Sequence, residues 1–539
     1  MIIASLVFYR TYFGKLGDLP APANWVYSGG VAIFRPSSGL WAIQGVTRTY
    51  FGRVNDIPIP TLYRGTDSDC DGLPDWWEEE YFSTLDYGPL YEYPDNDGCN
   101  NLEEYESGTN PTQRDCGLTP SPSPIPTPTP DYVEPVFPPS SSSWDTVPYI
   151  IITNETLKNV QGQINFQSLI FHRLAQGMRG GIVTIEEIDA EYDGIRPDEG
   201  VDLQTKIREF TYDSYYYWGT NYVLFGGDTD VVPPRLFCGL CCDPCCEFPA
   251  DMYYACFEGT FDADTDGIYA EAGDDAAEID KDYKIYIGRA FMCGTDNPDY
   301  CVCHGEPCPH YTEQLANFVR KTITYENSTS SYLQKVNLLA PWNYESSEAT
   351  ARDVAHSEEL YDGYSDEYIT LGFKSSSFFN VQTYHCPYGD SSYDYSNEMI
   401  TNIDNGVHII NHIGHSTALG IYPEDSWEHF SNDQELFFAY TQGCHAGDFW
   451  HGPRTLLIRS METPYGCFAG VANSHDGYAH EHQDYNREFW DALFGEGFNR
   501  LGQMLADSKY DNIGRSYHEC AHYNQNLFGD PATQLHNGP

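Results

Sequence analysis

Basic residues are scarce. The 539-residue chain carries 28 Lys and Arg against 80 Asp and Glu, a formal net charge of −52. Such a surface repels a phosphate backbone, which argues against nucleic acid as a partner. It suits divalent cations, saline surroundings or cationic peptides. Long apolar runs are missing too: no stretch is apolar enough for long enough to span a bilayer, and Met1–Val7 is too short for a signal h-region with its flanks. The opening residues read instead as a cut inside a repeat. Export is therefore inferred from cysteine usage, and the expected location is secreted or at the cell surface.

Cysteine is what the chain has in plenty. Seventeen residues argue for an oxidising compartment and disulfides. The count is odd, so at least one thiol has no intramolecular partner; setting Cys444 aside leaves an even set. With 41% hydrophobic residues the chain can bury a large core, and its length suggests roughly two to four domains.

Four segments differ in texture. In residues 1–65, Thr11-Tyr12-Phe13-Gly14 recurs as Thr49-Tyr50-Phe51-Gly52, and Asp18, Pro20 and Pro22 recur as Asp56, Pro58 and Pro60, at a constant offset of 38 residues. Val31–Pro36 and Leu40–Ile43 between them read as short strands. The period suggests a partial, propeller-like β-repeat, and the segment resembles a truncated array of secreted bacterial repeats. Residues 66–116 are acidic. Residues 117–146 are rich in Pro, Ser and Thr, a linker composition that stiffens a chain without building a core. From residue 147 to 539, apolar runs alternate with amphipathic ones.

In that last segment strands are expected at Tyr149–Thr153, Ile182–Ile185, Tyr222–Phe225, Lys284–Ile287, Val336–Ala340, Phe378–Thr383, Val407–Ile413, Leu436–Thr441 and Phe468–Ala472. Helical periodicity fits Leu157–Gln176, Leu203–Tyr217, Glu313–Tyr325, Arg352–Tyr361, Ser396–Ile403, Arg454–Met461, Tyr485–Phe494 and Leu501–Ser508. The alternation predicts an α/β fold, a mostly parallel sheet between helices, with chemistry at the carboxyl ends of its strands.

Calcium has its own signature. Asp67, Asp69, Asp71, Leu73 (through its carbonyl), Asp75 and Glu78 occupy the ligand positions of a twelve-residue calcium loop, and Gly72 permits its sharp turn. A second, partial loop contains Asp95, Asp97 and Glu104. The pair resembles thrombospondin type 3-like, EF-hand-like spacers, which implies structural Ca²⁺. A third run, Asp262, Asp264 and Asp266, has the first three ligands but lacks acids further on. It is either another calcium site or a solvated turn.

The sharpest pattern is a pair of apolar strands that each end in reactive residues. Val407–Ile413 leads into Gly414-His415-Ser416, and Leu436–Thr441 into Gln442-Gly443-Cys444. On adjacent parallel strands His415 and Cys444 would stand side by side. A nearby imidazole raises the thiolate fraction of a cysteine, and the backbone N–H groups of Cys444 and Ser416 can form an oxyanion hole. A bridged or merely buried cysteine is the plain alternative; finding both residues after apolar strands favours chemistry.

The blocks Tyr222–Arg235, Asp251–Gly267 and Ile285–Phe291, then INHIGHS, CHAGDF and Leu527–Leu535, resemble in content and order those of the gingipain-type cysteine peptidases, relatives of caspases and legumains. The resemblance covers roughly residues 147–537. It implies a caspase-like fold, His415 and Cys444 as the catalytic pair, and protein or peptide substrates. It also offers Asp353, His475 and Asp476 as substrate-pocket residues, with basic P1 side chains as a preference. Two departures stand out. Ser416 replaces the family's usual Gly, and the Cys238–Cys246 insertion reads as a disulfide knot or, by its spacing, a metal site. Interception of the acyl-enzyme by an amine would make the chain a transpeptidase or signal-processing peptidase. A calcium-dependent adhesion scaffold with an inactive peptidase-like domain is the rival from another class.

Overall fold

A computed structural model describes residues 19–20, 32–35, 40–43, 47–50 and 146–538, apart from 163, 195–200, 239–246, 272–278, 294–309, 342–345, 366–368, 387–395, 418–419, 422–429, 451–454 and 515–518. The chain divides into two units, Met1–Pro130 and Asp131–Pro539. In the first, Leu19–Pro20, Ala32–Arg35, Leu40–Ile43 and Thr47–Tyr50 form a four-stranded antiparallel meander. The two strands expected there are present. The two acidic loops, with Asp67, Asp69, Asp71, Leu73, Asp75, Glu78, Asp95, Asp97 and Glu104, lie outside the described residues.

The second unit is built on ten strands: β1 (Tyr149–Thr153), β2 (Gly180–Thr184), β3 (Tyr222–Gly226), β4 (Tyr286–Ala290), β5 (Lys335–Ala340), β6 (Asn380–His385), β7 (Ile409–His412), β8 (Phe437–Thr441), β9 (Cys467–Asn473) and β10 (Gln525–Phe528). They form one sheet in the order β6-β5-β7-β8-β9-β10-β4-β3-β1-β2. Every neighbouring pair is parallel except β9 and β10. Successive residues of a strand enter different cores: Leu339, Ile410 and Phe437 pack into one cluster, Leu338, Ile409 and Phe438 into another. Both faces are therefore covered, which is why the strands read as unbroken apolar runs. Helix residues Leu315, Phe318 and Leu457 line the first cluster; Phe489, Trp490 and Met504 line the second.

The expected mostly parallel α/β sheet is thus observed, with local corrections. The run Leu157–Gln176 is two helices, Glu155–Lys158 and Phe166–Ala175. Gly162 between them has φ +139°, and Asn165 starts the second helix with a capping box, its Oδ1 accepting from Ser168 N at 3.1 Å. Strand β4 begins two residues later than Lys284. Strand β10 escaped notice because Gln525 and Asn526 break the apolar pattern. All four of its residues are nevertheless buried, and the polar pair finds internal partners: Gln525 Oε1 accepts from Tyr440 Oη at 3.3 Å, and Asn526 Nδ2 donates to Ser474 Oγ at 3.2 Å.

Just past β10, Asp530 ties distant segments together. Its Oδ2 accepts from Tyr149 Oη at 2.8 Å and Arg173 Nη2 at 2.9 Å, and Arg173 Nη1 donates to both oxygens of Glu326 at 2.8 Å. The side chains of Arg173 and Asp530 are fully buried. Removing one partner of such a pair strands the other, so Asp530→Ala is expected to lower unfolding free energy by about 3–5 kcal/mol in urea titrations. Asp189→Ala, which breaks an exposed pair with Lys206, is expected to cost about 1 kcal/mol or less.

The same cluster has an acid signature. Burial raises the Glu326 carboxyl pKa, but Arg173 and His172 bring it down to about 2 from its ordinary 4.5. A depressed carboxyl stabilises the fold fully above its unfolded pKa and loses that contribution as pH falls through the folded one. Glu326→Gln is therefore expected to flatten the fall in urea midpoint between pH 4.5 and about 2.

Candidate active site

The register of the sheet sets the site. Strands β7 and β8 are adjacent and parallel, and their last paired residues are His412 and Thr441. His415 and Cys444 each lie three residues beyond that pair, so they leave the same sheet edge at the same level on strands about 4.8 Å apart. Both are half-buried, whereas β7 and β8 are buried throughout. Hydrogen bonds continue the pairing past the strands: Gln442 N donates to His412 O at 3.1 Å, and Ser416 Oγ donates to Cys444 O at 2.7 Å.

Gly443 makes this contact possible. A Cβ placed on it would lie 2.0 Å from Ser416 Oγ, 2.5 Å from Ser416 Cβ and 3.0 Å from Ser416 N. The turn carrying His415 and Ser416 thus closes directly over the backbone that precedes Cys444.

The next strand, β9, holds the cysteine loop from the other side. Asn473 Nδ2 donates to Gln442 O at 2.9 Å, while His445 N and Gly447 N donate to His475 O and Asn473 O at 2.9 Å each. The segment after β9 then returns to the sulfur: Gly477 N donates to Cys444 Sγ at 3.3 Å. His445 has φ +54°, an uncommon backbone for a residue with a Cβ. Its ring contacts Asp448 Oδ2 through Nδ1 at 3.3 Å and Asp476 Oδ1 through Nε2 at 3.2 Å. The bond to Asp448 is the main reason its pKa is raised, with burial opposing.

Cys444 stands apart chemically from the other described thiols. Cys256, Cys386, Cys444 and Cys467 are outside any disulfide, but Cys444 alone of these four is not buried. Burial pushes the Cys256 and Cys467 thiols up.

The remaining expected residues are spread around this centre. His475 is buried, with its ring 5.0 Å from that of His445 and 5.5 Å from that of Phe248. Asp476 is half exposed and precedes Gly477 in the chain. Asp353 is buried on helix Ser347–Asp362, where its Oδ1 accepts from Arg352 Nη2 at 3.2 Å. The residue of that helix that reaches the cysteine strand is His356. Its Nε2 accepts from Gln442 Nε2 at 2.9 Å, and its Nδ1 faces Glu359 at 3.3 Å. Burial lowers the His356 pKa, which favours the neutral acceptor. Asp262, Asp264 and Asp266 lie away from these elements in the chain and bring one carboxylate oxygen each within 4.8 Å of one another. Backbone N–H groups of Asp266, Gly267 and Ile268 donate to them.

Three participants were not anticipated: the Gly477 N–H, His356 and the Asp448–His445–Asp476 contacts. His356 lay one helical turn from the suspected Asp353, a spacing that puts both near one face. The others depend on how two loops fold back, which no periodicity records.

A half-buried thiol and an imidazole on neighbouring strand ends of a mostly parallel, helix-covered sheet define a cysteine peptidase of caspase-like fold. The sequence profile of Peptidase family C25 matches residues 142–299 and 308–536, and the chain belongs to that family. Similar solved structures include the Arg-specific cysteine proteinase gingipain R (14% identity, TM-score 0.50, covering 72% of this chain and 78% of that one). A structure described only as a protease is similar at 16% identity and TM-score 0.52, with the same coverages. The complex of Porphyromonas gingivalis RgpB pro- and mature domains is similar at 14% identity and TM-score 0.50, covering 72% and 80%. No curated protein matches the chain significantly.

Gly443→Ala is expected to displace the His415–Ser416 turn and to cost peptidase activity about 100-fold, the scale of an ångström misplacement. Adding Ser416→Gly removes two of the three colliding atoms and is expected to restore at least part of the rate on a peptide substrate. No recovery would mean that this contact does not govern the site.

Proposed function

We propose that the chain is a secreted or cell-surface thiol endopeptidase in which Cys444 is the nucleophile and His415 the general base. The in-register placement of the two residues beyond His412 and Thr441 is the observation that carries this reading. His415 takes the proton from Cys444 Sγ, and the thiolate attacks the peptide carbonyl. The tetrahedral oxyanion accepts hydrogen bonds from the backbone N–H groups of Ser416 and Cys444. His415 returns the proton to the leaving amine and a thioester remains. Water, deprotonated by His415, then hydrolyses it and frees Cys444. The Gly477 N–H, 3.3 Å from Sγ, favours the thiolate over the thiol.

The proposed substrate preference is for a basic P1 residue. Asp476 adjoins the glycine that touches the sulfur and is half exposed, whereas the Asp353 carboxylate is buried. The seventeen cysteines support an oxidising location. Structural Ca²⁺ would be held by the oxygen donors of Asp67, Asp69, Asp71, Leu73, Asp75 and Glu78, with Asp95, Asp97 and Glu104 in the second loop. The all-oxygen cluster of Asp262, Asp264 and Asp266 suits the same hard cation.

Iodoacetamide applied to the folded chain is expected to alkylate Cys444 and spare the buried Cys256, Cys386 and Cys467, as read by peptide mass mapping. His415→Ala is expected to lower turnover by about 10²–10⁴-fold. Turnover that survives Cys444→Ala would falsify the assignment. Calcium titration of the full chain, before and after Asp71→Ala, is expected to lose one equivalent.

A further inference from the structure

Next to the proposed nucleophile two histidines that the peptidase mechanism does not use stand beside the carboxylate of Asp476. One atom each of His445, His475 and Asp476 lies within 4.8 Å of the others. Two imidazoles with a carboxylate are a donor set for borderline transition metals, as in hydrolytic zinc sites, and a poor one for Ca²⁺, which takes oxygen ligands. His445 Nε2 and Asp476 Oδ1 are separated by 3.2 Å. Ligands about 2.0–2.1 Å from a tetrahedral zinc ion stand about 3.3 Å apart.

A second observation points the same way. The other ring nitrogen of His445, Nδ1, faces Asp448 Oδ2 at 3.3 Å, and the Asp448 side chain is only 4% exposed. Metal-bound histidines nearly always give their second ring N–H to a carboxylate, carbonyl or water, which fixes the tautomer and raises ligand basicity. A buried carboxylate beside Nδ1 favours the tautomer protonated there, which would free Nε2 for a metal ion shared with Asp476. The backbone is committed too: His445 keeps φ +54° while its N–H bonds His475 O at 2.9 Å, which ties the two histidines at the main chain.

We infer that His445, His475 and Asp476 form a site for a zinc-like divalent cation, with Asp448 as positioning residue and the remaining coordination position open to water. His445 follows Cys444 directly, and Asp476 precedes the glycine whose N–H touches Sγ. A cation there sits at the mouth of the proposed catalytic centre and takes the carboxylate assigned to the P1 side chain. Bound metal therefore inhibits, and it does so by competing with basic substrates. The inhibitory part rests on the peptidase reading; the binding does not.

The test separates the two. The full-length Cys444→Ala chain, saturated with Ca²⁺ to fill oxygen-only sites, is titrated with Co²⁺ and followed in the visible. One equivalent is expected to give the intense d–d absorption of a four- or five-coordinate nitrogen- and oxygen-ligated ion, displaced by Zn²⁺. The signal is expected to vanish in His445→Ala and in Asp476→Asn, and affinity to fall about 10–100-fold in Asp448→Asn. No such band in the folded Cys444→Ala chain, or a band unchanged in His445→Ala, overturns the site. In the chain with Cys444 intact, Zn²⁺ is expected to raise the KM for a P1-Arg peptide while leaving kcat nearly unchanged. A chain that binds Co²⁺ but cleaves no peptide would refute the catalytic reading and leave the metal site standing.

Discussion

The second unit depends on one strand. β10 lies between two parallel blocks of opposite direction, antiparallel to β9 and parallel to β4; without it the other nine strands become two sheets with raw edges at their centre. The strand is polar at its start and short. What anchors it is charge and hydrogen bonding: Asp530, fully buried, joins β1 through Tyr149 and the Phe166–Ala175 helix through Arg173. A buried charge network of this kind contributes little net stability over an apolar equivalent, but it tolerates no missing member and so defines one arrangement.

The same sheet makes the site a matter of register. His415 and Cys444 are brought together by the pairing of two apolar strands, and the polar residues around them adjust that pairing at fixed points. Gly443 admits the Ser416 turn, Asn473 holds the carbonyls before the cysteine, and His356 reaches Gln442 from a helix outside the sheet. A one-residue slip of β7 against β8 would move every one of these contacts.

Most strands of the large sheet were legible in the sequence because burial on both faces leaves an unbroken apolar run. The same runs ended at His415 and Cys444, so the central pair was legible as well. β10 was not, because the Gln525 carbonyl and the Asn526 amide bond to Tyr440 and Ser474, far away in the chain, and a pattern rule sees only their polarity. The single helix expected over Leu157–Gln176 failed for the opposite reason: local periodicity was sound, but Asn165 competes for the backbone and starts a helix of its own. Around Cys444, the family resemblance singled out His475 and Asp476, and the structure places both beside His445. The contact of Gly477 with the sulfur was not, since it is made by a backbone group that no residue type announces.

The central place of β10 also bears on how the protein is made. Tyr149 and Asp530, which share a hydrogen bond, are 381 residues apart in the chain. During vectorial synthesis both parallel blocks emerge long before residues 525–528 do, each with an unpaired inner edge of the kind that recruits stray strands. The nascent chain therefore passes through a long interval in which its two halves can each collapse but cannot join. Phe449, five residues beyond Cys444, meets Phe291 and Phe528 only when that interval closes. Ribosomal timing, and any holdase that shields those edges, thus sets when the thiol loop is fully packed.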